Sequence, residues 1–242
     1  MGYPVDAAHP YKHYARSVIL NGIDAPAKKV LLMPSKNCLD IQAGLESGHF
    51  NKETEFVLFE RDPEIAKSIR DFCDLYNLWY RLHVTDLFSQ KSVKLIQQSD
   101  GTRPFDLIFF DFCCKFNPRV NAFLQELWCR SGICYAPTAF TYSITTRRVP
   151  SKMVEDCKNT RRGDKFNFKY GHVYHSPGSY ELHRNAIASA ILTLNCMEYR
   201  KTCIHDFLMY KEPGKGLEML TFTINFGEPN ENRRGGFTWM SL

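Results

Sequence analysis

The sequence predicts an α/β fold: a doubly wound, mainly parallel sheet with helices on both faces and a C-terminal antiparallel hairpin. Three observations lead there. Short apolar runs ending on polar residues recur from Lys28 onward, and runs of that length bounded by turn signals read as buried strands. Segments of helical periodicity separate them as far as Thr145, the alternation that builds right-handed βαβ units. After Tyr199 the pattern changes. Cys203 to Lys211 and Leu217 to Phe226 are joined by Glu212-Pro213-Gly214-Lys215-Gly216, too short for a parallel crossover and suited to a hairpin.

The first strand is Lys28-Lys29-Val30-Leu31-Leu32-Met33, ending at Pro34-Ser35, and a short helix from Leu39 to Ser47 stops at Gly48. Glu55-Phe56-Val57-Leu58-Phe59 is the second strand and ends on Glu60. Asp62 then suits an N-cap and Pro63 the first helical position. Ile65, Ile69, Phe72, Cys73 and Tyr76 fall on one face of the helix that follows. A third strand runs from Tyr80 to Thr85 and ends on Asp86, with a helix around Ser92 to Gln98. Phe105-Asp106-Leu107-Ile108-Phe109-Phe110, ending on Asp111, reads as a central strand covered on both faces. A helix from Pro118 to Cys129 and a fifth strand from Thr138 to Thr145 follow, the strand rich in β-branched and aromatic residues. Arg184 to Tyr199 is a further helix, with Ile187, Ala190, Ile191 and Leu194 on one face. Glu228 to Gly236 is polar and glycine-rich and is assigned to no element.

Composition narrows the class. With 242 residues, 44% hydrophobic and 24% charged, the chain reads as one globular domain over 1–242 rather than a disordered segment. The start, Met1-Gly2-Tyr3-Pro4-Val5-Asp6, lacks the basic lead and apolar run of a secretory signal, and no stretch approaches the roughly 20 apolar residues of a membrane span. Asp6 stands where a myristoylation signal requires Ser or Thr. A cytoplasmic protein without a membrane anchor is expected. Its nine cysteines are odd in number, several lie within predicted core segments and no secretory signal accompanies them, so reduced thiols are expected rather than disulfides. Cys113-Cys114 lacks the spacing of a structural zinc site, and no metal is expected. The oligomeric state is not legible.

Candidate chemistry gathers at strand ends, because ligands of an open α/β sheet bind beyond the carboxyl ends of its strands where strand order reverses. Ser35, Glu60, Asp86 and Asp111 all fall there. Glu60 follows Cys38 by roughly 20 residues, the spacing at which a carboxylate accepts ribose hydroxyls in dinucleotide sites. The competing reading is that such residues cap the next helices. An insertion at about 147–180 carries Arg147, Arg148, Lys152, Lys158, Arg161, Arg162, Lys165 and Lys169 among Phe166, Phe168, Tyr170, Tyr174 and Tyr180. That mixture suits phosphates and bases, against the alternative of a solvated loop anchored by its aromatics.

From Lys28 to Phe226 the layout, closing hairpin included, resembles the class I S-adenosylmethionine-dependent methyltransferase superfamily, with its Rossmann-like fold. The resemblance implies S-adenosylmethionine as cofactor. It makes Pro34-Ser35-Lys36-Asn37-Cys38 the cofactor loop, with Pro34, Ser35 and Asn37 as contacts, Glu60 the ribose ligand and Asp86 the adenine-side residue. It sets Asp111-Phe112-Cys113 beside the transferred methyl, with Asp111 and Phe112 as contacts and Asp111 the candidate catalytic residue. The family's glycine-rich turn is absent, and Asp111-Phe112-Cys113-Cys114 matches neither the amino-group nor the cytosine carbon-5 DNA-methylase motif. The implied activity is methyl transfer, with nucleic acid as the preferred substrate and Arg147, Arg148, Arg161 and Arg162 as its contacts. A non-catalytic nucleotide- or nucleic-acid-binding protein on a degenerate methyltransferase fold is the alternative. A nicotinamide oxidoreductase is disfavoured by the missing G-x-G-x-x-G and by the hairpin.

Overall fold

The computed structural model describes residues 25–100, 105–115, 118–127, 139–145, 202–211, 218–226 and 237–240, with 15–17, 19–20 and 22–23. The basic insertion at 147–180, the helix expected at 184–199 and the loop of the hairpin lie outside them. The described strands are β1 (Lys29–Leu32), β2 (Glu55–Glu60), β3 (Trp79–Val84), β4 (Leu107–Lys115), β5 (Ala139–Thr145), β6 (Thr202–Lys211), β7 (Glu218–Phe226) and β8 (Phe237–Met240). Between them stand α1 (Leu39–Glu46), α2 (Pro63–Leu75), α3 (Gln90–Asp100) and α4 (Pro118–Gln125). The strands form one sheet in the order β3-β2-β1-β4-β5-β7-β6-β8.

β1 pairs in parallel with both β2 and β4, so strand order reverses at β1. β7 runs antiparallel to both β5 and β6, which places the expected hairpin inside the main sheet. Two features were not foreseen. β8 adds an edge strand parallel to β6, and β4 runs on to Lys115, so that Asp111 and Phe112 lie within the strand rather than after it. Thr141, Tyr142 and Ser143 of β5 supply backbone partners for Phe109, Phe110 and Asp111, which carries the ladder past the apolar run.

Local chemistry explains the helix that leads away from Glu60. Asp62 caps α2 by accepting from Glu64 N at 2.9 Å and Ile65 N at 3.3 Å, and Pro63 occupies the first turn, where its missing N–H costs nothing. Ile69 and Cys73 are fully buried on the inner face. The helix closes with Asn77 at φ 52°, Leu78 N bonding Cys73 O and Asn77 N bonding Asp74 O, a left-handed C-terminal cap that a short polar side chain tolerates.

The two sheet faces carry different cores. Val30, Leu32, Phe56, Leu58, Leu107 and Phe109 share one face with Ile41 of α1 and with Ile69 and Cys73 of α2. Ile19, Leu20 and Ile23, from a segment preceding β1 to which no element was assigned, complete that core. On the other face Phe110, Phe112, Phe88 and Phe123 form an aromatic cluster, with ring centroids 5.4–6.2 Å apart. Lys29 is fully buried on this second face. Its ammonium lies 3.8 Å from Glu55 Oε2 and 4.9 Å from the Phe105 ring centroid, and it donates to the Ser99 carbonyl. Arg81 completes the group by pairing with Glu55 Oε1. Among the described residues no helix is long and apolar enough to cross a membrane.

Candidate functional site

Sheet register sets the geometry of the site. Leu32, the last residue of β1, pairs with Leu58 on one side and Phe109 on the other. Two residues further along, Glu60 and Asp111 stand at one level, roughly 7 Å beyond Leu32, and start from the same face of the sheet. β1 separates their strands, so the backbone positions of the two residues lie on either side of the loop that leaves β1, roughly 10 Å apart across two strand spacings. The crevice at such a reversal of strand order is where ligands of open α/β sheets bind.

The loop between them is tightly built. Pro34 is buried, Ser35 and Lys36 are exposed and Asn37 is half-buried. Cys38 N donates to Ser35 O at 2.9 Å, closing a turn, and Cys38 O accepts from Gln42 N at 2.9 Å to begin α1. Cys38 itself takes φ 50°, the left-handed conformation that glycine favours, and is fully buried. The turn therefore has the backbone hand of a glycine turn while carrying a thiol. A left-handed cysteine leaves no signature in the sequence by which this could have been foreseen. Burial pushes the Cys38 thiol up to about 12, with Cys73 and Asp40 adding to the effect, and burial likewise pushes Cys73 up to about 12. Both are free thiols, and neither is an activated nucleophile.

Glu60 has a definite orientation. Its Oε1 accepts from Arg61 N at 2.6 Å and Asp62 N at 2.8 Å, so the turn after β2 holds one oxygen from behind. Among the described residues nothing bonds Oε2, which retains its acceptor capacity. The capping role competing for Glu60 is taken instead by Asp62. Asp86 is more committed: Oδ1 accepts from Phe88 N at 3.1 Å, Oδ2 pairs with Arg119, and its carbonyl accepts from Ser92 Oγ at 2.7 Å. Arg119 also stacks 4.8 Å over the Phe88 ring. Arg119 was not singled out from the sequence because it comes from α4 and reaches the β3 loop only through the fold.

Asp111 is half-buried on β4, opposite Ser143 of β5. Phe112 points to the other face, where it stacks on Phe88 at 5.5 Å and is buried. It therefore lies on the sheet face opposite Glu60 and Asp111. The fold thus brings the Pro34–Cys38 turn, Glu60 and Asp111 to the carboxyl ends of neighbouring strands, with Asp86 two strands away after β3 and Phe112 on the opposite sheet face. Arg147, Arg148, Arg161 and Arg162 are outside the described residues.

No protein-family model matches this sequence, and no curated protein is significantly similar to it. Solved structures do resemble it. The O-methyltransferase TomG of Streptomyces achromogenes, solved with S-adenosylmethionine, superposes with a TM-score of 0.52 at 12% identity, over 91% of this chain and 82% of TomG. A Rhodobacter sphaeroides protein assigned as a zinc-dependent alcohol dehydrogenase gives 0.50 at 8% identity, over 94% and 92%. The tRNA m1G37 methyltransferase of M. jannaschii gives 0.50 at 8% identity, over 92% of this chain and 52% of its own, about half its length. Identities this low speak for fold. Within that set, β7 inserted antiparallel between β5 and β6 departs from the 3-2-1-4-5-6 order of dinucleotide-binding sheets. The chain has the class I methyltransferase-like fold.

Proposed function

We propose that this chain binds S-adenosylmethionine at the crevice where strand order reverses and transfers its methyl group, with nucleic acid as substrate. The single observation that carries the reading is the pair Glu60 and Asp111, level with one another on either side of the left-handed turn after β1. The cofactor seen in TomG and the tRNA named for the M. jannaschii enzyme support it at the level of fold.

The residues present suit that ligand. Glu60 Oε2 is the acceptor for ribose hydroxyls, its partner oxygen being already fixed by the backbone of the turn. Pro34, Ser35 and Asn37 line the approach to the amino-acid portion, and Asp86 marks the β3 side, where Arg119 pairs with it and stacks over Phe88, Phe88 in turn packing on Phe112 of β4. Bound there, S-adenosylmethionine supplies an electrophilic methyl carbon. Asp111 stands beside the acceptor position, where its carboxylate orients an acceptor N–H or O–H and receives its proton. Holding the acceptor in line is the main contribution expected of the protein. The free thiols Cys38 and Cys73 suit action in the cytoplasm.

Calorimetric titration with S-adenosylmethionine and S-adenosylhomocysteine tests the first half. Both are expected to bind, and Glu60→Ala is expected to weaken each by about 1.5–3 kcal/mol, the scale of charge-assisted hydrogen bonds. The fold should survive, because Asp62 and not Glu60 caps α2. Unchanged affinity in the folded variant removes Glu60 from the site. The second reading, a binding protein without turnover, draws on the buried Pro34 and Cys38, which fill a turn that the family builds from glycine. Transfer of labelled methyl to nucleic acid separates the two.

The substrate half rests on the insertion. Replacing Arg147, Arg148, Arg161 and Arg162 with Ala is expected to weaken nucleic-acid binding and flatten its dependence on salt, since fewer counterions are released. S-adenosylhomocysteine affinity should be unchanged. Equal salt slopes for the wild type and the four-arginine variant would exclude these side chains as the phosphate contacts.

A further inference from the structure

We infer that Arg16 is a positioning residue for the turn after β1, acting through Asp40. Arg16 Nε donates to Asp40 Oδ1 at 2.6 Å, and the two side chains are only 14% and 16% exposed. Asp40 lies in the first turn of α1, directly after the Ser35–Cys38 turn. That helix start lacks a side-chain cap, because Cys38 occupies the N-cap position and makes no side-chain capping bond. Orphan N–H groups at a helix start leave its first turn free to fray, and an oriented carboxylate there opposes fraying.

The segment bearing Arg16 is itself seated. Ala15, Ile19, Leu20 and Ile23 are buried, and the last three share a core with Cys38, Ile41 and Phe50. The guanidinium is therefore presented to α1 from a packed support, with the side-chain entropy of the pairing partly met by packing. Arg16 ties the first turn of α1, through Asp40, to a segment 24 residues upstream. It touches no reacting atom. Its effect is to hold the backbone hand of Ser35 to Cys38, the loop that Proposed function assigns to the cofactor, and the ligand half of this inference rests on that reading.

The test uses the full chain with four variants: Arg16→Ala, Arg16→Lys, Asp40→Arg, and the exchange Arg16→Asp with Asp40→Arg. Amide hydrogen exchange without ligand reports the turn, and calorimetry with S-adenosylhomocysteine reports the site. Arg16→Ala and Asp40→Arg are expected to speed exchange at the amides of Cys38 to Gln42, and to weaken binding by roughly threefold to tenfold, the scale of one ordinary hydrogen bond. Arg16→Lys and the exchanged pair are expected to restore part of both. Unchanged exchange in a folded Arg16→Ala protein overturns the inference whatever the ligand does. Faster exchange with unchanged affinity also overturns it, since the turn would then move without consequence. Faster exchange with no binding by the wild type would instead reject the cofactor reading, and with it the ligand half of this inference.

Discussion

Gly44→Ala is expected to destabilise the protein by about 2–3 kcal/mol, as an overpacking change in a core that cannot relax. A methyl at Gly44 would fall inside the Phe50 ring, with Cγ 2.7 Å away and Cδ2 and Cε2 closer still. The ring has nowhere to go. Phe50 is 2% exposed, lies edge-on to Phe56 of β2 at 5.4 Å between centroids, and its N–H bonds the Gly44 carbonyl at 2.9 Å. Helix propensity pulls the other way, since Ala is favoured over Gly by about 1 kcal/mol in a helix interior, but the clash exceeds that gain. Relief must come from moving α1 off the sheet. Because α1 begins at the Ser35–Cys38 turn, affinity for S-adenosylhomocysteine should fall together with stability. Thermal unfolding should show a loss of roughly 4–12 °C for a chain of this size. The double variant Gly44→Ala with Phe50→Leu should recover part of it. A Gly44→Ala protein as stable as wild type would mean that Phe50 is not packed against α1.

Lys29→Ala is expected to cost about 3 kcal/mol, at the low end for breaking a buried ion pair because Arg81 still neutralises Glu55. The ammonium satisfies three things at once: Glu55, the Ser99 carbonyl at the end of α3, and the face of Phe105. Removing it leaves a cavity and takes away the ammonium's bond to the Ser99 carbonyl, two costs that add. Lys29→Met fills the volume and should lose less. Urea unfolding distinguishes them, and equal midpoints for Lys29→Ala and Lys29→Met would show that the charge, not the packing, is the whole effect. This group sits at the start of β1 and β2, the end of the sheet opposite Glu60 and Asp111, so ligand affinity should barely change in whatever fraction stays folded.

The sequence by itself determined the strands of the parallel half, the cap of α2 and the antiparallel pairing of β6 with β7, because each rests on neighbouring residues. Apolar runs of strand length, Asp62 before Pro63, and a five-residue connection rich in glycine and proline act locally, and local physics needs no partner. Glu60 was legible for the same reason, as the residue that ends a strand. What the tertiary structure decided is what depends on residues distant in the chain. The left-handed turn at Cys38 goes with its burial in one core with Ile41 and Cys73, a tertiary setting, and reflects no preference of cysteine. β4 runs on past Phe110 because β5 offers it backbone partners, and β8 exists because β6 has an edge to fill. Lys29, a charged residue in a strand, found its place only when α3 brought the Ser99 carbonyl to it, since a buried charge is tolerable only where partners converge. The level of Glu60 with Asp111 is likewise a property of register: parallel strands on either side of β1 align residues that the chain keeps far apart, and only their hydrogen bonds fix that alignment.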